Sequence, residues 1–270
     1  MMSDGDGSYL LSGQSSELAR LQLQSRVWEP AGRSLLDSLS RIDGARALEV
    51  GCGVMGWLRI LSDWVGPEGS VVGTDVDEKM LAGAQTMLDE ERLTNVQLHQ
   101  DDIFSTQMAP AAFDLVHARF QIAPLGRPQE HMDAFRRLVK SGGWLVLEDP
   151  DMASWRVHPD APHTHELIGL IAQGFEEAGG DFNSGVTLPF LMKEWGVEPS
   201  IRANVVALEP GHPYLRLPLQ FAESLRTRLE ALAGRPQLDE LIDAAQEELG
   251  RPDVWGTTFT LIQACGRFDD

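Results

Sequence analysis

Between residues 46 and 149 the chain alternates short apolar runs with segments of helical spacing, and this alternation narrows the possible folds more than any other feature. ARALEV (45–50), SVVGTDV (70–76), VQLHQD (96–101), FDLVHAR (113–119) and GGWLVLEDP (142–150) read as strands. WLRILSDWV (57–65), EKMLAGAQTMLDEERL (78–93) and QEHMDAFRRLV (129–139) carry apolar residues at helical intervals. Strands separated by single helices pair in parallel with helices on both faces, because a parallel connection must cross over the sheet. IRANVVAL (201–208) and TTFTLIQACGRF (257–268) add a sixth and a seventh strand. With 270 residues and 43% hydrophobic composition, the chain is long enough for one full core.

Additions flank this core. Ser15 to Leu39 has helical spacing interrupted by Pro30, which predicts two helices, and residues 1–13 read as disordered. Between Pro213 and Leu249 the pattern is helical, broken at Gly234-Arg235-Pro236, and is expected to form a helical pair. The expected organisation is an N-terminal helical lid (1–40), a core (41–212 and 251–270) and a cap (213–250) inserted between strands six and seven. Within the cap, Leu215, Leu219, Ala222, Leu225 and Leu229 form an apolar face suited to docking the helix or lining a pocket.

Composition restricts the partners. A formal net charge of −19 disfavours nucleic acid, whose phosphates are neutralised by Lys and Arg. The chain has no run of roughly 18 apolar residues, so no membrane span is expected, and Met1 to Ser8 is acidic and Gly/Ser-rich, unlike a signal peptide. Cys52 and Cys265 form no disulfide framework. The expectation is a cytoplasmic protein with a small-molecule substrate; a homodimer is compatible with the sequence.

Chemistry concentrates at Glu49-Val50-Gly51-Cys52-Gly53-Val54-Met55-Gly56, a strand-to-helix turn in which glycines admit a ligand to the backbone and the helix start offers free N–H groups. Gly51, Gly53 and Gly56 satisfy the dinucleotide-binding spacing, with Asp75 where a ribose-binding acid would stand. An NAD-dependent oxidoreductase is therefore one reading. Glu49, an acid two residues before the first glycine, separates that reading from another.

With Glu49, Gly51 and Gly53 in this arrangement, the sequence resembles the class I S-adenosylmethionine-dependent methyltransferases, a Rossmann-like family with a seven-stranded, mostly parallel sheet. Met55 departs from the family's alternating glycines, with Gly56 displaced by one. The resemblance runs over residues 46 to 149 and implies S-adenosylmethionine as cofactor. It places Glu49 near the methionine end, Asp75 on the ribose hydroxyls and Val76 against adenine. Asp102 and Ile103 fall at the adenine amino group, with Asp101 as the alternative. Arg119 falls at the methionine portion and Phe120 at the substrate pocket, while Lys140 in the turn before strand five is structural.

The two helical additions are similar to the caps of small-molecule methyltransferases, including those acting on quinones and natural products. Trp28, Trp155 and Tyr214 are then substrate candidates. His158, in the loop after strand five, is the candidate general base. Asp149, Asp151, His158, His163 and His165 carry metal-type donors, but their spacing fits no recognised site and no metal is expected. His117, inside an apolar strand, reads as a core histidine with satisfied nitrogens. The resemblance implies methyl transfer to O, N or C of a small metabolite. A cofactor-bound cyclase or isomerase that transfers no methyl group stays open as an alternative.

Overall fold

The computed structural model describes residues 15–268. The segment expected to be disordered lies outside them. Helix α1 (Ser15–Leu36) leads into β1 (Arg46–Val50), α2 (Leu58–Val65), β2 (Ser70–Asp75), α3 (Glu78–Glu91) and β3 (Val96–Gln100). Then follow β4 (Phe113–Arg119), a single turn α4 (Ile122–Leu125), α5 (Pro128–Leu138) and the long β5 (Val139–Asp151). Beyond the core crossovers come β6 (Arg156–His158), α6 (Pro162–Glu176), α7 (Leu188–Glu194), β7 (Ser200–Asn204) and β8 (Ala207–Leu208). Helices α8 (Leu217–Ser224), α9 (Arg226–Ala233) and α10 (Arg235–Leu249) precede β9 (Trp255–Thr257) and β10 (Thr260–Arg267).

Seven strands form the central sheet in the order β3-β2-β1-β4-β5-β10-β7. Pairing is parallel from β3 through β5, and β10 is antiparallel to both β5 and β7. The expected Rossmann-like, mostly parallel sheet is what the chain forms. Its central strands are buried on both faces, which is why they read as apolar runs rather than alternating ones. Two apolar clusters, one around Val116, Phe135 and Leu145 and the other around Leu35, Leu58 and Leu115, fill the space between sheet and helices.

Three sequence expectations change. Helix α1 runs unbroken through Pro30 instead of splitting in two. Proline removes one hydrogen bond, but Trp28, Leu35 and Leu36 on either side of it are buried, and that packing holds the helix together. The run 201–208 is also two strands: β7 stays in the central sheet, whereas β8 joins a second, three-stranded sheet ordered β6-β9-β8. Strands of two or three residues are too short to leave a periodic signature. Finally, the cap holds three helices where a pair was expected, α8 and α9 meeting at Leu225.

The cap helices share one apolar cluster with α6 and the small sheet, including Trp155, Phe175, Tyr214, Phe221, Leu229 and Phe259. Leu215, Ala222, Leu225 and Leu229 are buried in that cluster and Leu219 packs against it. Glu248 on α10 fixes the α6 N-terminus. It accepts from Thr164 N and Oγ1, both at 2.8 Å, and from His163 N at 3.2 Å, satisfying N–H groups that a helix start leaves free. Among the described residues, no helix is long and apolar enough to cross a membrane.

Candidate active site

A cleft of about 560 Å³ opens where β1, β2, β3 and β4 end. Its wall takes Glu49 to Gly53, Val54 and Gly56 from the first turn, Asp75 to Asp77 from the second, and Asp101 to Phe104 from the third. Arg119 ends β4, and Phe120 and Gln121 follow it. Ligands of open α/β sheets bind at this carboxyl edge. Helix α1 covers one side with Leu21, Gln24 and Ser25, and Arg228 of α9 reaches the far rim.

The glycine turn is held from two directions. Cys52 N donates to Thr74 O at 2.8 Å, and Gly53 N donates to Asp75 Oδ2 at 2.9 Å, so β2 sets the height of the loop. Gly53 has φ +53°, and a side chain there would meet only Leu21 Cδ1 at 3.7 Å, leaving it to project toward the open cleft. Gly56, at φ +47°, serves a different purpose. A Cβ on it would collide with Glu49 Oε1 and stand 3.0 Å from Cys52 O. The displaced third glycine therefore makes room for the Glu49 carboxylate, and Met55 beside it is buried against the α2 side of the sheet.

Glu49 lines the wall, but both of its oxygens are engaged inside the protein. Oε1 accepts from Trp57 N at 3.0 Å, and Oε2 meets His117 Nδ1. The Trp57 indole stacks on the His117 ring, with centroids 3.7 Å apart at 11°. His117 is fully buried with both nitrogens partnered, as a core histidine should be.

Asp75 sits at the cleft floor. Its Oδ1 accepts from Asp77 N at 3.0 Å, so each oxygen holds one backbone amide and keeps a second lone-pair direction. Burial pushes its carboxyl above the ordinary aspartate range, the amides only partly offsetting that cost. It does not cap α3; that role falls to Asp77, which accepts from Lys79 N at 2.8 Å. Val76 presents an exposed apolar side chain to the cleft. Asp102 closes a turn by accepting from Phe104 N (3.0 Å) and Ser105 Oγ (3.3 Å), Ile103 beside it is buried, and Asp101 lies in the same wall.

Arg119 is 7% exposed. Its Nη2 donates to Ser25 Oγ at 3.4 Å, and Nη1 lies 3.9 Å from Glu148 Oε2 without a hydrogen bond. A buried guanidinium nitrogen without an acceptor is costly unless a ligand supplies one. Phe120 follows at φ +54°, strained backbone for an aromatic residue at the mouth of a site.

Four candidates lie elsewhere. His158 belongs to the small sheet, stacks on Trp255 with centroids 4.9 Å apart, and lines no part of the cleft, which withdraws it as the general base. Trp28, Trp155 and Tyr214 are buried in the cap core rather than presented to a substrate. Trp28 Nε1 donates to Tyr214 Oη at 3.3 Å, and Trp28 and Trp155 both pack on Phe259. Large aromatic side chains bury more surface than others, and the cap core uses that area. Of the four substrate candidates, Phe120 alone reaches the wall. Sequence reasoning missed Gln24, Ser25 and Arg228 on helices and Gln121 just before α4, since isolated polar residues carry no motif.

A family model described as "Methyltransferase domain" matches residues 42–196. A demethylmenaquinone methyltransferase of Staphylococcus carnosus is 30% identical over 123 residues, 46% of this chain and 49% of that protein. The chain spans about half the length of the curated relatives it matches. Among solved structures, a putative methyltransferase from Bacillus halodurans superposes with TM-score 0.59 at 16% identity, covering 89% of this chain and 98% of that one. Haemonchus contortus phosphoethanolamine N-methyltransferase 2, solved with phosphomonomethylethanolamine and S-adenosylhomocysteine, gives 0.52 at 16% identity over 90% of this chain and 53% of that one. At such identities the superpositions establish the shared fold.

Proposed function

The chain belongs to the methyltransferase-domain family, and from that premise we propose that it binds S-adenosylmethionine in the cleft and transfers a methyl group to O, N or C of a small metabolite. The observation that carries the reading is the joint placement of Asp75, Val76 and Arg119 around the glycine turn. The donor set suits the cofactor: Asp75 retains acceptor capacity for a ribose diol, Val76 offers an apolar surface for a base, and Arg119 holds an unsatisfied cationic nitrogen for a carboxylate. Asp102 and the Ile103 backbone are the candidates for the adenine edge. In this reading Gly53 admits the ligand to the backbone, Gly51 at φ +63° instead leaves the space that the Gln121 amide fills, and Glu49 holds the turn through Trp57 N–H and His117.

When bound, S-adenosylmethionine supplies a methyl group already activated on a sulfonium, and its in-line displacement depends mainly on alignment and exclusion of water. The chain's residues contribute those two things. The glycine turn and Asp75 fix one end of the cleft, while α1 closes its side with Leu21, Gln24 and Ser25. Among the described residues, the wall contains no histidine.

A covered cleft of this size, on a chain with a formal net charge of −19, favours a small acceptor over nucleic acid. Kinship with a demethylmenaquinone methyltransferase makes quinone-like compounds sensible first members of an acceptor panel. The dinucleotide alternative is weakened at Gly56, whose missing side chain is already accounted for by the Glu49 carboxylate. The test is incubation with S-adenosylmethionine carrying an isotopically labelled methyl group and a panel of quinone, phenol and amine acceptors. Label in an acceptor, with equimolar S-adenosylhomocysteine, is expected. Tight cofactor binding with no label moved on any acceptor would favour the non-methylating cyclase or isomerase reading.

A further inference from the structure

A file of polar side chains crosses the central sheet beneath the glycine turn. Asn204 Nδ2 on β7 donates to Gln263 Oε1 at 2.9 Å, and Gln263 Nε2 on β10 donates to Glu148 Oε1 on β5 at 2.5 Å. Glu148 Oε2 lies 3.1 Å from His117 Nε2 on β4, and His117 Nδ1 meets Glu49 Oε2 on β1. The file ends where Glu49 takes Trp57 N–H, at the start of α2. These five strands are neighbours in the sheet. His117, Glu148 and Gln263 are each at most 1% exposed, and none of them lines the cleft. Two members of the surroundings do line it: Glu49 at the glycine turn, and Arg119, which faces Glu148 Oε2.

The proton count follows from geometry. Each ring nitrogen of His117 faces a carboxylate oxygen at hydrogen-bonding distance, so two protons are required between the two pairs. An imidazolium supplies both. A neutral ring supplies one and would need a protonated carboxyl for the other. With His117 cationic, the charges of Glu49, Glu148, His117 and Arg119 sum to zero, as a buried group of ions requires.

We propose that His117 is a positioning residue, an imidazolium that donates to Glu49 and Glu148 together and thereby sets the glycine turn and Arg119 in one fixed relation across the cleft. The proposal rests on the cofactor reading above, because the turn and Arg119 are the parts assigned to the methionine end. Burial disfavours the cation, but Glu49 and Glu148 outweigh it and raise the His117 pKa; burial likewise opposes an ionised Glu148, yet His117 and Arg119 hold its pKa low. On the glycine-turn side, Cys52 stands beside Glu49 and Asp75 and remains a neutral thiol, pushed well up by burial and by those two acids. Trp57 covers the ring face and brings no charge.

The experiment combines two readouts on the full chain. Nitrogen-15 spectra of histidine-labelled wild-type protein are recorded at pH 7.5, and S-adenosylhomocysteine affinity is measured by calorimetry for wild type, Glu148→Gln and His117→Gln. Both ring nitrogens of His117 should show protonated shifts. Both variants should bind at least tenfold more weakly with unchanged far-ultraviolet dichroism, although neither substituted residue lines the cleft. A neutral His117 ring, or variant affinities within twofold of wild type with only the melting temperature lowered, would overturn the proposal. If His117→Gln fails to fold, Glu148→Gln and the wild-type spectrum still decide it. Wild-type protein that ignores S-adenosylhomocysteine would instead overturn the cofactor reading, an outcome separate from the state of the ring.

Discussion

Replacing Asp75 by Ala should separate binding from stability. In the free protein each carboxylate oxygen holds one backbone amide, Gly53 N at 2.9 Å and Asp77 N at 3.0 Å. Those bonds favour the ionised acid, yet its pKa stands above the ordinary value because burial outweighs them. The fold thus keeps this charge at a net cost, a pattern common at functional sites. Removing it deletes two amide contacts but also a poorly solvated charge, so stability should change by only about 1 kcal/mol. Ligand binding has no such offset. Loss of hydrogen bonds from a ribose diol to a carboxylate should cost roughly 1.5 to 3 kcal/mol, or about 10- to 150-fold in affinity. Calorimetric titration with S-adenosylhomocysteine and a denaturant melt of the same preparations measure both quantities. Wild-type affinity in the variant would refute the ribose role. A large stability loss accompanying the affinity loss would show instead that Asp75 serves mainly to hold the turn.

The two glycines of the turn should diverge. Gly53→Ala costs roughly 1 to 2 kcal/mol of backbone strain at φ +53° and sends its methyl toward the cleft, so cofactor affinity should fall more than stability; equal losses in melts and titrations would contradict this. Gly56→Ala adds a collision with the Glu49 carboxylate to similar strain and should unfold more readily than Gly53→Ala; the same melts decide it. Asp149, buried in β5, has its carboxyl pushed up to about 8 by burial. The folded state therefore keeps a proton that the unfolded chain releases above about pH 4, and stability should fall by up to about 1.4 kcal/mol per unit between about pH 4 and 8. Asp149→Asn should abolish that slope in denaturant titrations, and an unchanged slope would exclude Asp149 as its source. Glu248→Ala should destabilise the protein by about 1 to 3 kcal/mol by leaving the buried Thr164 donors at the start of α6 without an acceptor, with S-adenosylhomocysteine affinity unchanged. A fall in affinity would instead place that contact in the binding machinery.

The parallel core was legible because its central strands are buried on both faces and its helices repeat regularly between them. The glycine turn and Asp75 could be located for the same reason: they stand at the ends of recognisable strands. The buried network was only half legible. Glu49, His117, Glu148 and Gln263 each interrupt an otherwise apolar run, which marks them as polar groups needing partners. Their pairing depends on strand order and register across β1, β4, β5 and β10, which single strands do not encode. Three of the four aromatic candidates fell outside the cleft for a related reason. A tryptophan has the same composition signal in a core as at a pocket mouth, and the cap core claims Trp28 and Trp155. His158 belongs to a strand of three residues, too short to announce itself, and that strand carries it away from the cleft.

The most direct test of the cofactor assignment is calorimetric titration of wild-type protein with S-adenosylmethionine, S-adenosylhomocysteine and NAD in parallel. Single-site binding of both sulfur-containing ligands, with no heat from NAD, is the predicted result. Preferential binding of NAD would contradict the assignment of the glycine turn, Asp75 and Arg119 to S-adenosylmethionine.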